Sequence, residues 1–333
     1  MSASTYLTRR TLLRSTGALA GAALVHRYAF DLAPALVPDL RAAQAPAAST
    51  AKAGAAALDQ RRAEMARTPI ARTRLTDRLE LLAGPGGNVL VLHGPDGLLL
   101  VDNFVRAAWP QLKSTLDAIG GPVKTAIDTH WHFDHADNNA NVHRAGAVIV
   151  AHARTKVRLS EPHDIIGLHM DPEPADALPA ETFTDARTLS ANGDTLTLQY
   201  APPAHTDTDI SVRFAKANVL HLGDLFFNGS YPFIDASTGG NINGMVTAAE
   251  KALAAVDAQT RIVPGHGPLA DRAALERYRA MLTAVRDRVA ALKASGKALA
   301  DVQAAKPSAA YDAEWGGGFM KADDFVALVY STL

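Results

Sequence analysis

The segment Thr129-His130-Trp131-His132-Phe133-Asp134-His135 constrains this chain more than any other stretch of it. It follows directly on Val123–Asp128, an apolar run that reads as a strand. Three imidazoles and a carboxylate lie within the six residues 130–135. They do not pack as ordinary core, because each needs a hydrogen-bond partner or a metal. Alternation in an extended turn aims His130 and His132 at one point, and Asp134 and His135, one step on, at a neighbouring one. The chain has no cysteine, so disulfides, thiolate ligands and cysteine nucleophiles are excluded together, and any metal is held by His and carboxylates. Among the 12 histidines, two more stand in telling contexts. Ala204-His205-Thr206 and Pro264-Gly265-His266-Gly267, together with Leu222-Gly223-Asp224, each sit at or just past a strand end, where loops carry functional side chains.

The rest of the body alternates short strands and helices. Leu79–Leu82, Asn88–His93 and Gly97–Val101 form a meander, separated by Gly84-Pro85-Gly86-Gly87 and Gly94-Pro95-Asp96-Gly97 turns. A helix over Ala107–Ile119 ends at Gly120-Gly121. Helices are predicted over 134–144 and 153–160, a strand over 147–151, and a long loop over the Pro- and Asp-rich 161–179. Strands return at 188–189, 196–200, 210–214 and 219–222, then helices at 245–258 and 271–294. In the last helix Leu275, Tyr278, Met281, Val285, Val289 and Leu292 recur every three or four residues, so one face is core. Strands, helices, strands, helices in this order favour two sheets packed face to face with helices outside. With 48% hydrophobic residues the chain buries a sizeable core; a net charge of −1, with Arg and Lys spread along it, gives no nucleic-acid footprint.

The pattern His-x-His-x-Asp-His, then a His-Thr, then Gly-Asp at a strand end, then Gly-His-Gly resembles the metallo-β-lactamase superfamily over roughly residues 79–294. Every position of that pattern is filled here. The resemblance implies an αββα sandwich with two mixed β-sheets and a site at one edge. It implies that His130, His132 and His205 hold one metal, that Asp134, His135 and His266 hold another, and that Asp224 bridges them. It assigns catalytic work to Asp134 and Asp224, with two zinc ions per chain as the expected cofactor, since imidazole and carboxylate ligation suits zinc, though manganese or iron uses such sets too. Asp102, at the end of a strand, resembles the family's aspartate behind the metals, and Asp209 is a second candidate to fix an imidazole; a turn cap is the competing reading of each. His93, His143, His152 and His221 read as structural histidines. His163 and His169, in the long loop, are candidates to line the cleft, and Trp131 and Phe133 serve either as an apolar wall or as core. Residues 223–231 and 239–244 read as a loop and helix start beside the metals.

Substrate is argued from the site, because this fold hosts many chemistries. Aspartate at 224 is the arrangement of glyoxalase II-like thioesterases and lactonases, whereas dedicated zinc β-lactamases of this family carry Cys or Ser. Phe227 stands where acyl-homoserine lactonases have Tyr. The reading is therefore a dinuclear zinc hydrolase acting on a small ester, thioester or lactone. β-Lactam hydrolysis is one alternative, and a mononuclear iron enzyme of the persulfide dioxygenase kind is another, as is a non-catalytic zinc module. The only partner expected is a small-molecule substrate, with neither nucleic acid nor stable membrane insertion.

The N-terminus reads as a leader over 1–47. Arg9-Arg10 precede Leu12, Leu13 and Arg14, and a weakly apolar run follows over 15–25, too short to span a bilayer. This order resembles a twin-arginine export signal, with Ala45-Pro46-Ala47 as a plausible cleavage end. The expected product is periplasmic or secreted. Removing 1–47 takes away five Arg and two Asp, moving the net charge from −1 to −4. Residues 48–77 read as an Ala-rich linker or loosely attached helix and a solvated entry to the catalytic domain, which is expected over 78–333 with a helical C-terminal tail.

Overall fold

The computed structural model describes residues 47–333, so the leader lies outside them apart from Ala47. Two sheets form the centre. β1 (Ala71–Arg74), β2 (Leu79–Ala83), β3 (Val89–Leu92) and β4 (Leu98–Val101) are antiparallel neighbours; β5 (Val123–Ile127) and β6 (Val148–His152) continue the sheet in parallel. A small hairpin of β7 (His163–Ile165) and β8 (Leu168–Met170) intervenes before β9 (Glu181–Phe183) closes the seven-stranded sheet beside β6. The second sheet has five strands, β10 (Ala186–Ala191), β11 (Asp194–Tyr200), β12 (Ile210–Phe214), β13 (Val219–His221) and β14 (Arg261–Val263), antiparallel except for the last pair.

Period-two alternation decides what each sheet face buries. Leu79, Leu81, Leu90, Leu92, Leu99 and Val101 point between the sheets and meet Leu196, Leu198, Ile210, Val212 and Phe214. The intervening Leu82, Val89, Val91, Leu98 and Leu100 point the other way, onto Leu112 and Leu116 of helix α2. Counting helices along the chain, these are α1 (Ala47–Met65), α2 (Trp109–Ile119), α3 (Phe133–Ala136), α4 (Asn139–Arg144), α5 (Ala153–Leu159), α6 (Ile242–Ala254), α7 (Arg272–Ala294), α8 (Leu299–Ala304), α9 (Asp312–Trp315) and α10 (Ala322–Ser331). Leu220 and Ile262 of the second sheet face Met245, Ala249, Leu275, Tyr278 and Met281 of α6 and α7. The result is the αββα sandwich expected from the sequence. Among the described residues, no helix is long and apolar enough to cross a membrane.

Three segments differ from the sequence reading. Residues 48–77, expected as a linker or loosely attached helix and a solvated entry, hold α1, which is a docked helix rather than a loose one, and the exposed edge strand β1; Ala favours helix without marking a face, so periodicity is silent there. The helix expected over 134–144 is two short helices. They break where the Asn138 backbone N–H donates to Asn103 Oδ1 at 2.8 Å instead of to a helical carbonyl, while its side-chain amide donates to the carbonyls of Asn103 and Val105, each at 2.8 Å. The long loop over 161–179 contains β7 and β8.

β4 and β5, and β13 and β14, run parallel, so their C-terminal ends emerge together at one edge of the sandwich. That edge receives Asp102, the 129–135 segment, Asp224 and His266.

Candidate metal centre

The seven predicted residues converge. The ligand-capable atoms of His130, His132, His205 and Asp224 lie within 4.8 Å of one another, and so do those of Asp134, His135 and His266. Asp224 faces both groups. Its Oδ2 is 3.4 Å from His205 Nε2 and 3.9 Å from His130 Nε2. Its Oδ1 is 3.2 Å from His135 Nε2 and 3.5 Å from His266 Nε2. Two short turns create this placement: Asp224 sits on a single 3₁₀ turn directly after β13, and His266 two residues past Pro264 at the end of β14. Gly265 permits the close approach, since a Cβ there would overlap Asp224 Oδ1.

Each of the first four imidazoles is oriented through the nitrogen that faces away from the cluster. His205 Nδ1 lies 2.8 Å from the Phe233 carbonyl, and His130 Nδ1 3.1 Å from the Thr129 hydroxyl. His132 turns Nδ1 inward, 2.9 Å from His205 Nε2, and sets Nε2 3.2 Å from Asp235 Oδ2. His135 Nδ1 is 2.7 Å from Asp102 Oδ2. Such outer partners fix tautomer and ring orientation and raise ligand basicity. Asp102 adopts a left-handed backbone, φ 63°, which a non-glycine residue holds only when its surroundings over-determine it. Here they do, because its carboxylate also accepts from the Thr129 N–H and hydroxyl, both at 2.8 Å.

The donor set fits metal ions. Inside the cluster, His130 Nε2 and Asp224 Oδ1 are buried without a hydrogen-bond partner, which buried polar atoms avoid unless something else satisfies them. Burial holds His130 well below the usual histidine range and His205 at about 4, the neutral form that ligation requires. In the other group burial pulls the same way but loses. Asp224 and Asp134 raise His266 to about 9; the same pair with Asp102 holds His135 well above its usual value. Asp134 and Asp224 resist the upward push of burial and lie below the usual carboxylate range, drawn down by the facing imidazoles. This corner of the site therefore demands positive charge, which a cation supplies.

Other candidates sort by their contacts. Asp209 does not reach an imidazole; it accepts from the backbone of His205 and Thr206 at 2.8 and 2.9 Å, the turn-cap reading. His221 sits between the Asn88 carbonyl and the Gly223 N–H, each at 3.0 Å. His152 and His143 bond backbone groups, and His93 lies 3.9 Å from Glu80. His169 pairs with Asp164 and Asp171, and His163 rests against the Trp131 ring at 4.6 Å, outside the seven-residue cluster. Trp131 is core, 2% exposed beside Leu58, Leu159, Ile165 and Met170. Asp235 escaped the sequence reading; it stands in a loop with no motif, and its contact with His132 exists only in three dimensions.

A two-sheet sandwich whose strand ends gather five histidines and two aspartates defines a metal-dependent hydrolase. The metallo-beta-lactamase superfamily model matches residues 83–269, more than half the chain, and the chain belongs to that superfamily. It is 23% identical over 184 residues to the metallo-beta-lactamase type 2 of Bacteroides fragilis, covering 55% of this chain and 69% of that protein. Among solved structures it is similar to the metallo-beta-lactamase from Pontibacter korlensis, at 18% identity and a TM-score of 0.53, covering 64% of this chain and 99% of the other. The enzyme from Hirschia baltica matches at 21% identity and 0.52, covering 64% and 98%.

Proposed function

We propose that the chain is an exported dinuclear zinc hydrolase that opens a small ester, thioester or lactone. One observation carries the dinuclear reading: the two oxygens of Asp224 face two different imidazole groups. His130, His132 and His205 would hold one ion, Asp134, His135 and His266 the other, with Asp224 between. Two such ions supply, when bound, a nucleophile from water at neutral pH and a Lewis acid for the carbonyl oxygen. The chain's own residues do the rest. Asp134 is 15% exposed and is held anionic by the facing imidazoles, so its carboxylate accepts a hydrogen bond from the attacking water and orients it. Asp102 and Asp235 keep His135 and His132 in fixed tautomers. Phe233, with its ring 6.0 Å from those of His132 and His205, and Phe227, stacked on His266 at 5.3 Å, wall the cleft with apolar surface and exclude water.

The ester-type reading rests on aspartate rather than a thiolate at 224. β-Lactam opening is the second reading, favoured by the relatives' names. A hydrolysis panel of thioesters, lactones, β-lactams and phosphodiesters on zinc-loaded protein separates them. Turnover of a thioester or lactone well above that of any β-lactam is expected, and the reverse order would replace the first reading by the second. Export is inferred from Arg9-Arg10 and the short apolar run behind them. Replacing both arginines by lysine is expected to leave folded, active precursor in the cytoplasm. Processing and export at parental levels would mark an ordinary secretory signal.

A further inference from the structure

We propose that Arg62, on the N-terminal helix α1, is a positioning residue for the Asp134–His135–His266 group, acting through Asp137. The inference rests on the dinuclear reading above.

Helix α1 lies outside the residues that the superfamily model matches, 83–269. It nevertheless docks closely. Leu58 is 2% exposed against Trp131, the residue between His130 and His132, and Gly54 lets the helix meet β8, where a Cβ would sit 2.8 Å from that of His169. Four residues on from Leu58, the Arg62 guanidinium forms a two-pronged bond to Asp137, Nε to Oδ2 at 2.9 Å and Nη2 to Oδ1 at 2.8 Å. The Asp137 side chain is 1% exposed and closes α3, the single turn that carries Asp134 and His135.

The same carboxylate accepts from the Arg106 backbone N–H at 2.6 Å and from Arg106 Nε at 2.8 Å. Arg106 ends the loop that begins at Asp102, the partner of His135. Asn103 N–H donates to the His135 carbonyl and Asn138 N–H to Asn103 Oδ1, both at 2.8 Å, sewing that loop to α3. Asp137 is thus a buried carboxylate at the junction of α1, α3 and the Asp102 loop, held by two guanidinium groups that also pair with Asp59 and Glu173. A planar fork holds a carboxylate in one orientation, as an ammonium does not. Without it, α3 and the Asp102 loop lose a common anchor, and Asp134 and His135 shift together. His130 precedes α3 and His205 belongs to the other sheet, while His132 caps α3 but is held from outside it by Asp235 at 3.2 Å, so the effect falls mainly on the Asp134–His135–His266 group.

The test is a cobalt(II) titration of chelator-stripped full chain, followed by ligand-field absorption and by competition with a coloured chelator. A His266→Ala chain identifies the bands of the His130–His132–His205 group. In Arg62→Lys the equivalent assigned to the other group should bind about 10-fold more weakly, the lower end of what loss of outer support costs a metal site, with its bands altered and the first equivalent much less affected. Parental affinity and bands for both equivalents would overturn the proposal, even if the melting temperature falls. Should Arg62→Lys not fold, Arg62→Gln decides, since its amide offers Asp137 a donor without the fork and leaves the Arg106 contacts in place. It is expected to weaken the same equivalent, and parental affinity there overturns the proposal. A parent that takes up only one equivalent would overturn both this inference and the dinuclear centre beneath it.

Discussion

At the residue scale, the centre works because imidazoles are not left to choose their own tautomer. Asp102 fixes His135 from a strained backbone and is satisfied by Thr129 in doing so. Asp102→Asn keeps an acceptor of similar shape but removes the anion behind the imidazole. Metal affinity at the His135 group should fall by about 10- to 100-fold in competition titration, and parental affinity would reduce Asp102 to a turn residue. His152 shows the opposite electrostatics away from the site. Its Nε2 meets the Thr184 carbonyl at 2.9 Å, and its Nδ1 accepts from the Arg154 N–H, so the fold holds the neutral ring. Burial accordingly lowers its pKa. A histidine with a depressed folded value leaves the unfolded chain as the better proton binder, so its contribution is present above about pH 6.5 and lost as pH falls below it. Urea unfolding between pH 7.5 and 5 should show a smaller acid-side loss in His152→Gln than in the parent; equal losses would assign the acid sensitivity elsewhere.

At the element scale, what was legible in the sequence is what local pattern records. The alternating runs at 79–82, 89–92 and 98–101 announce strands, and α7 announces its buried face through Leu275, Tyr278 and Met281. The seven cluster residues were legible because their types are costly to bury without a partner. Asp235 and Arg62 were not, since nothing adjacent to either in sequence refers to the residue it touches, 103 positions away for His132 and 75 for Asp137. The docking of helix α1 was illegible for a related reason: an Ala-rich helix has no apolar stripe, and it is anchored by a few residues such as Leu58, Arg62 and Met65. Leu58→Ala should therefore cost about 2–5 kcal/mol in urea unfolding, as buried leucines do, whereas a linker residue would cost less than about 0.5 kcal/mol.

At the scale of the whole molecule, two sheets with parallel strands at matching edges bring together segments as distant in sequence as His130 and His266. The centre exists only after both sheets have formed and packed, so metal binding and folding are thermodynamically linked. Export of a folded chain would allow the metals to be loaded first. The measurement that bears most directly on this account is metal content set against activity: stripped chain titrated with zinc while hydrolysis of a responsive ester or thioester is followed. The account predicts two equivalents bound per chain, activity abolished by chelation and restored by added zinc. Full activity at a reproducible single equivalent would contradict it.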